Sequence, residues 1–275
     1  MKLKEVTNEM KNQIIEMYVG DLMSLQKISK NFNSSPLTIR NILVENNIEI
    51  RDCKIATAIK NNQDRFTNRK YHLNYNYFDN LNSYNSYVLG FIMADGGVYN
   101  GRLKIQLQES DYKMLEYIKK QLEYTGEISY VINKIKEKEY KTCKLSISSI
   151  DLCEKLKEYG IIENKSLIVK FPKNIPNEYE IDFIKGYFDG NGFTKSGKYL
   201  RCGFCSGSKE MMHDINKILQ KYGLSNRTIH KKRGFNTYTI EYSSKECKII
   251  YDLFYIKSNT FSLSRKKNVF ESHLF

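Results

Sequence analysis

Two nine-residue segments of this 275-residue chain constrain its fold more than anything else in it: VLGFIMADG at 88–96 and IKGYFDGNG at 184–192. Each places small residues four apart, Gly90 with Ala94 and Gly186 with Gly190. Residues at i and i+4 share one face of a helix. A stripe without side chains lets two helix backbones approach closely, by the sterics that operate in small-residue seams. The flanks are too short and too polar for a membrane span, so the expected structure is a soluble helix–helix seam. Packed along these stripes, the helices should end side by side, at Asp95-Gly96 and Asn191-Gly192. Helix C-termini carry unpaired carbonyls and partial negative charge. A carboxylate added there makes a place attractive to a hard divalent cation with oxygen ligands.

The segments open two copies of one pattern. In the first, a helix over 84–95 precedes a hairpin over 98–107 with a turn at Asn100-Gly101. A helix over 111–124, a hairpin over 127–148 and a helix over 150–159 follow. The second copy repeats the order with helices over 180–191, 208–222 and 245–255 and hairpins over 193–206 and 227–242. Each copy is too small to bury both faces of its sheet, so the two should pack together. The expected class is α+β, two pseudo-symmetric αββαββα units over 79–172 and 173–275, with a small all-α domain in front.

That front domain, 1–52, reads as three short helices. Ile14, Ile15, Tyr18 and Leu22 recur at helical spacing, followed by Leu25, Ile28 and Phe32. Ser35-Pro36 reads as an N-cap with proline at the first helical position. The stretch resembles the helix-turn-helix modules of resolvases and invertases, which implies that Thr38, Arg40 and Asn41 face a DNA groove. Residues 53–78 read as a basic linker, in which Lys54, Lys60, Arg65, Arg69 and Lys70 could follow a phosphate backbone.

The net charge is +13, from 44 basic and 31 acidic residues. Residues 1–52 are neutral, the linker carries +4 and the rest of the chain +9. This surplus suits a polyanionic partner, with double-stranded DNA first. No run of about twenty apolar residues exists, so no membrane partner is expected. The polar start lacks a signal peptide's apolar core. The expected setting is therefore intracellular, a cytoplasmic protein encoded by a bacterium or phage and not secreted. The six scattered cysteines read as free thiols. Cys202 and Cys205 form a single CxxC, which lacks the second pair that zinc needs.

The two motifs, with the order of strands and helices around them, resemble the LAGLIDADG homing endonuclease family in its single-chain, two-motif form. The resemblance extends to Asn164-Lys165-Ser166, Ser206-Gly207-Ser208 and Ser264-Arg265-Lys266-Lys267. It implies a saddle whose antiparallel sheets lie along the DNA major groove. It also implies a monomer that cuts a long asymmetric site by metal-dependent phosphodiester hydrolysis, and a role in intron or intein mobility. The metal would be Mg2+, or Mn2+ or Ca2+ in a trapped complex. The eighth motif position would hold a metal-binding acid, which is Asp95 in the first motif; the carbonyls of Ala94 and Gly190 would stand beside the metals. In the second motif that position is Asn191, where the family has Asp or Glu. Asparagine offers one neutral oxygen and cannot take up a proton, so one strand should be cut slowly or not at all. Glu109 would help arrange water, and Lys165 and Lys267 would stabilise charge in the transition state.

The strands should read DNA. Alternation puts Arg102, Lys104 and Gln106 on one face of the first hairpin, and Lys134, Lys136 and Lys138 on one face of the second. In the second copy Lys198 belongs to the first hairpin and Arg227, His230, Lys231 and Arg233 cluster at the second, with Arg201 on the same sheet at an open parity. Two alternatives to a nuclease stay open: a non-catalytic sequence-specific DNA-binding protein, and an intron RNA maturase that keeps the fold.

Overall fold

A computed structural model of the chain describes residues 6–53, 55–56, 70–135, 138–243 and 245–275. It divides into two compact units, Met1–Lys70 and Tyr71–Phe275. Lys54, Lys60, Arg65 and Arg69 lie outside the described residues.

The first unit holds α1 (Asn8–Val19), α2 (Leu25–Asn31) and α3 (Pro36–Glu45). Each helix starts on a hydroxyl that accepts a backbone N–H three residues on: Thr7, Ser24 and Ser35. Ile14, Tyr18, Ile28, Ile39, Ile42 and Leu43 form its core. Arg51 closes the unit, with its guanidinium 3.8 Å above the Tyr18 ring and donating to the carbonyls of Tyr18, Leu22 and Met23. On α3, Arg40 is exposed. Asn41 is half-buried, and the half-buried Thr38 hydroxyl pairs with Ser35 Oγ at 2.9 Å. The outward face of α3 also shows Leu37 and Val44, 64% and 49% exposed.

In the second unit the first motif is α4 (Ser83–Asp95), started by Asn82 in a reciprocal capping box with Asn85. Every residue from Asn85 to Met93 is buried, as befits an interior helix. The second motif is an equally enclosed helix, reached after α5 (Tyr112–Gln121) and α6 (Ile150–Glu158): α7 (Glu180–Asn191). The glycines sit where the helices touch. A Cβ on Gly90 would stand 2.0 Å from the Phe183 carbonyl oxygen, and one on Gly186 2.0 Å from that of Tyr87. Further along, Gly190 faces Ala94 and Asp95. Contacts advance together along both helices, so they run parallel and end side by side.

Each motif helix runs directly into a four-stranded antiparallel sheet. The first holds β1 (Gly96–Tyr99), β2 (Arg102–Gln108), β3 (Ser129–Ile135) and β4 (Lys138–Ser148) in the order β1-β2-β4-β3. The second holds β5 (Gly192–Lys195), β6 (Arg201–Ser206), β7 (His230–Lys231) and β8 (Tyr238–Ser243) in the equivalent order, β5-β6-β8-β7. Tyr99 pairs with Arg102 across Asn100 and Gly101, both at positive φ, the conformation a two-residue hairpin turn requires. The helices α8 (Lys209–Gln220) and α9 (Lys245–Tyr251, continued by a π-helical turn Asp252–Lys257) complete the second αββαββα copy. The expected fold class is thus observed. A further helix, α10 (Ser264–Leu274), follows and has no counterpart in the sequence reading. Leu73 and Phe78, inside the stretch read as linker, are buried in this unit's core.

Candidate active site at the paired motif ends

The C-termini of α4 and α7 bring Asp95, Asn191, Ala94 and Gly190 together. An ideal Cβ on Gly190 would lie 3.3 Å from an Asp95 carboxylate oxygen. Asp95 keeps a solvent-exposed edge, yet the protein around it desolvates its carboxyl and raises its pKa, against the pull of Lys266, Lys165 and Arg265. Asn191 is half-buried, and its amide nitrogen lies 3.5 Å from the Ala94 carbonyl and 3.4 Å from the Tyr187 hydroxyl. The Cys205 thiol donates to the Asn191 carbonyl at 2.9 Å. Two clefts flank the helix ends and share Lys165 and Ser166. One, of about 450 Å³, contains Asp95, Lys104 and Gln106; the other, of about 240 Å³, contains Ala94, Asn191, Tyr187 and Cys205.

A buried lysine stands at each helix end. Lys165 is 6% exposed, and its ammonium donates to the Gly96 carbonyl at 2.5 Å. Burial lowers its pKa, opposed by Asp95. Lys266 is 2% exposed and donates to the carbonyls of Phe188, Asp189 and Gly192 at 2.5, 2.8 and 2.6 Å, with that of Gly190 at 3.3 Å. Burial pushes it down to about 8. Gly96 and Gly192 hold the same motif position, so the two lysines are structural counterparts. Lys267, the residue chosen from sequence, instead points along α10 to Glu271 at 3.4 Å, where both side chains are partly exposed. Helical spacing explains the shift: Lys266 shares a face with Phe270, which is fully buried, and Lys267 does not.

Charged groups along one buried face of α7 anchor the segment that leads into α10. Ser258 donates to Asp182 at 2.6 Å, and Lys185 donates to the Thr260 carbonyl at 3.1 Å. Asp189 accepts from the Tyr87 hydroxyl at 2.6 Å and from Leu263 N at 3.3 Å, leaving its Oδ1 without a partner. Burial raises the Asp189 pKa, while the Tyr87 hydrogen bond, Lys266 and Lys185 lower it. The segment before α10 is thereby fastened to the second motif helix. Arg265 ties it to the first copy as well, donating at 3.0 Å to both oxygens of Asp111.

The sheets present most of the remaining predicted residues. On β2, Arg102, Lys104 and Gln106 are exposed in strict alternation with buried Leu103, Ile105 and Leu107, as the spacing indicated. Arg102 donates to Ser148 Oγ and Gln106 to Thr142 Oγ1, both at 3.0 Å. Lys134 and Lys138 were expected on one face, and they are not. Ile135 pairs with Lys138, so the chain reverses between them, and Lys134 pairs with Glu139 on the opposite face, 3.1 Å from its carboxylate. Lys136 lies outside the described residues. Arg201 resolves to the face of Lys195 and Glu241 and donates to Glu241 at 3.2 Å. His230, opposite Thr239, shares that face; Lys231, opposite Tyr238, takes the other. Lys198 and Arg233 are exposed in connecting turns. Arg227 is drawn away from the sheet surface into an ion pair with Glu246, and its backbone N–H donates to Asn216. Glu109 is exposed just past β2, and Ser206, the last residue of β6, is buried and accepts from Ser208 N at 3.0 Å.

For a hard dication, the first motif end offers the Asp95 carboxylate and the Ala94 carbonyl. The second offers a neutral amide turned toward Ala94, and a Gly190 carbonyl that already faces an ammonium. The donors fit one cation at Asp95 and do not fit another at Asn191. Among the described residues no cluster of three His, Cys, Asp or Glu side chains exists that could hold a metal unaided.

Residues 178–253, which hold α7 and the second sheet, match the family model for the LAGLIDADG-like domain. Along 280 aligned residues the chain is 25% identical to the uncharacterized protein MJ0398 of Methanocaldococcus jannaschii, covering 98% of this chain and 89% of that one. Among solved structures it resembles the homing endonuclease I-WcaI bound to its DNA recognition sequence. That match has 14% identity and a TM-score of 0.50, over 67% of this chain and 84% of that one. It also resembles the N-terminal LAGLIDADG domain of WhiA, at 18% identity and a TM-score of 0.42, over 62% and 81% of the two chains.

Proposed function

We propose that this chain is a site-specific double-stranded DNA endonuclease of the homing type, dependent on a divalent cation and asymmetric in its two motifs. The observation that carries the reading is Asp95: a carboxylate at the joined ends of two motif helices, in a cleft shared with Lys104 and Gln106 and bordered by a buried lysine. Arg102, Lys104, Gln106, Arg201 and His230 supply basic and amide groups on the outward sheet faces, a chemistry suited to base edges and phosphates. Two unlike copies in one chain let a monomer read a non-palindromic site. Exposed Arg40, with Asn41 beside it on α3, adds a second DNA contact.

In this reading Asp95 and the Ala94 carbonyl would hold the cation, and the chemistry it would supply is polarisation of a phosphodiester and a lowered pKa for an attacking water. Lys165 keeps positive charge beside Asp95, where charge grows on the scissile phosphate. Glu109, exposed just past β2, orders water. Asn191 has no carboxylate with which to accept a proton, so the strand facing the second motif is cut slowly or not at all. That same residue favours the second reading, a binding protein that has lost cleavage. No helix among the described residues is long and apolar enough to cross a membrane.

Selection of bound duplexes from a random pool tests the DNA claim. A single long asymmetric consensus is expected, with affinity falling steeply as salt rises. Stronger binding to structured RNA at matched salt would favour a maturase instead.

A further inference from the structure

We infer that Lys266 is a built-in cation for the second motif, so that the chain takes one divalent ion, at Asp95, rather than one at each motif. The inference deepens the nuclease reading and rests on Asp95 being a metal ligand.

The two helix ends are counterparts in fold and opposites in charge. At the first, the ammonium of Lys165 reaches one carbonyl, that of Gly96, and the terminal side chain is a carboxylate. At the second, the ammonium of Lys266 sits within 3.3 Å of four carbonyls, those of Phe188, Asp189, Gly190 and Gly192. An ammonium has three hydrogens, and three of these contacts, at 2.5 to 2.8 Å, use them all. The fourth carbonyl, Gly190, stands where a metal would be sought. Helix C-terminal carbonyls attract positive charge, and here the charge is supplied covalently. A dication placed against Gly190 would meet that ammonium at close range with no carboxylate from Asn191 between them. Nor can Lys266 swing out freely. It is 2% exposed, and Asp189 and the Ser258–Asp182 and Lys185–Thr260 bonds secure the segment that carries it.

The same arrangement explains how an asparagine is accommodated at the end of α7. With the lysine in place, that end needs no further positive charge, and so no acid to bind one. A single carboxylate substitution should therefore fail to create a second metal site.

The experiment counts Mn2+ bound to the full-length chain without DNA, by paramagnetic resonance of the free ion, alongside a thermal melt of each variant. Asp95→Asn should lose one ion and Asn191→Ala none. Asn191→Asp should gain none while Lys266 is present, and Asn191→Asp combined with Lys266→Met should gain one. An ion lost in Asn191→Ala, an ion gained in Asn191→Asp alone, or no loss in Asp95→Asn overturns the inference. If the double variant does not fold, the single variants still decide. The outcome is separable from the nuclease reading: one Asp95-dependent ion without DNA cleavage sinks the nuclease and leaves the inference standing. Two ions with cleavage do the reverse.

Discussion

Replacing Gly90 by alanine tests the seam on which the whole site depends. The new methyl would lie 2.0 Å from the Phe183 carbonyl oxygen and 3.0 Å from Tyr187 N, so its neighbours are backbone and cannot rotate away. Relief requires α4 and α7 to separate by about 1 Å or more, since real carbon–oxygen contacts lie above about 3 Å. Overpacking of a tight core costs about 1–3 kcal/mol, and a clash with backbone belongs at or above the top of that range. Alanine's better helix propensity returns about 1 kcal/mol, leaving a net loss of at least about 2 kcal/mol. For a unit of this size that lowers Tm by about 4–8 °C. Thermal unfolding followed by circular dichroism reads the shift. Gly197→Ala serves as the control, because nothing lies within 4 Å of its added methyl. A Gly90→Ala variant that melts with the wild type would refute the close-packed seam and, with it, the placement of Asp95 beside Asn191.

Three further outcomes follow from the buried polar groups. Lys266 is pushed down to about 8, so between that pH and the ordinary lysine value the unfolded chain binds more protons and stability from this group rises with pH. The wild type should therefore gain about 2 kcal/mol over Lys266→Met between about pH 7 and about pH 9.5 in urea titrations, and an unchanged difference would contradict the burial. Tyr87→Phe removes the 2.6 Å bond to Asp189, whose other oxygen already lacks a partner. It should cost about 1–3 kcal/mol by the same titration. Arg265→Ala strips from Asp111 the Nε–H that both its oxygens share; the Asp111 side chain is 8% exposed, while Arg265 is 52% exposed. A double-mutant cycle with Asp111→Ala should give a coupling of about 1 kcal/mol after screening, and zero coupling would remove Arg265 as a tie between the copies.

The parts of the molecule legible in the sequence are those written in short periods. The i,i+4 glycines announced the seam, the alternation of Arg102, Lys104 and Gln106 announced the face of β2, and Asn100-Gly101 announced its turn. What was missed depends on long-range packing or on chain reversal. Lys134 and Lys138 change sides because alternation does not carry through a hairpin turn. Arg227 looks like a groove contact until Glu246, distant in sequence, arrives beside it. Asp189 lies inside the motif and passed unremarked, because nothing local shows that Tyr87 and Leu263 will enclose it. Lys266 was within reach: its four-residue spacing to Phe270 marks the inward face of a helix that was not foreseen.

The central claim is cleavage centred on Asp95, and the most direct measurement is made on supercoiled plasmids carrying a target library, incubated with the full-length chain and Mg2+. Nicked circles mapping to one strand of a single site are expected from the wild type, and none from Asp95→Ala. Cleavage that survives Asp95→Ala, or tight specific binding with no cut by the wild type, would contradict the assignment.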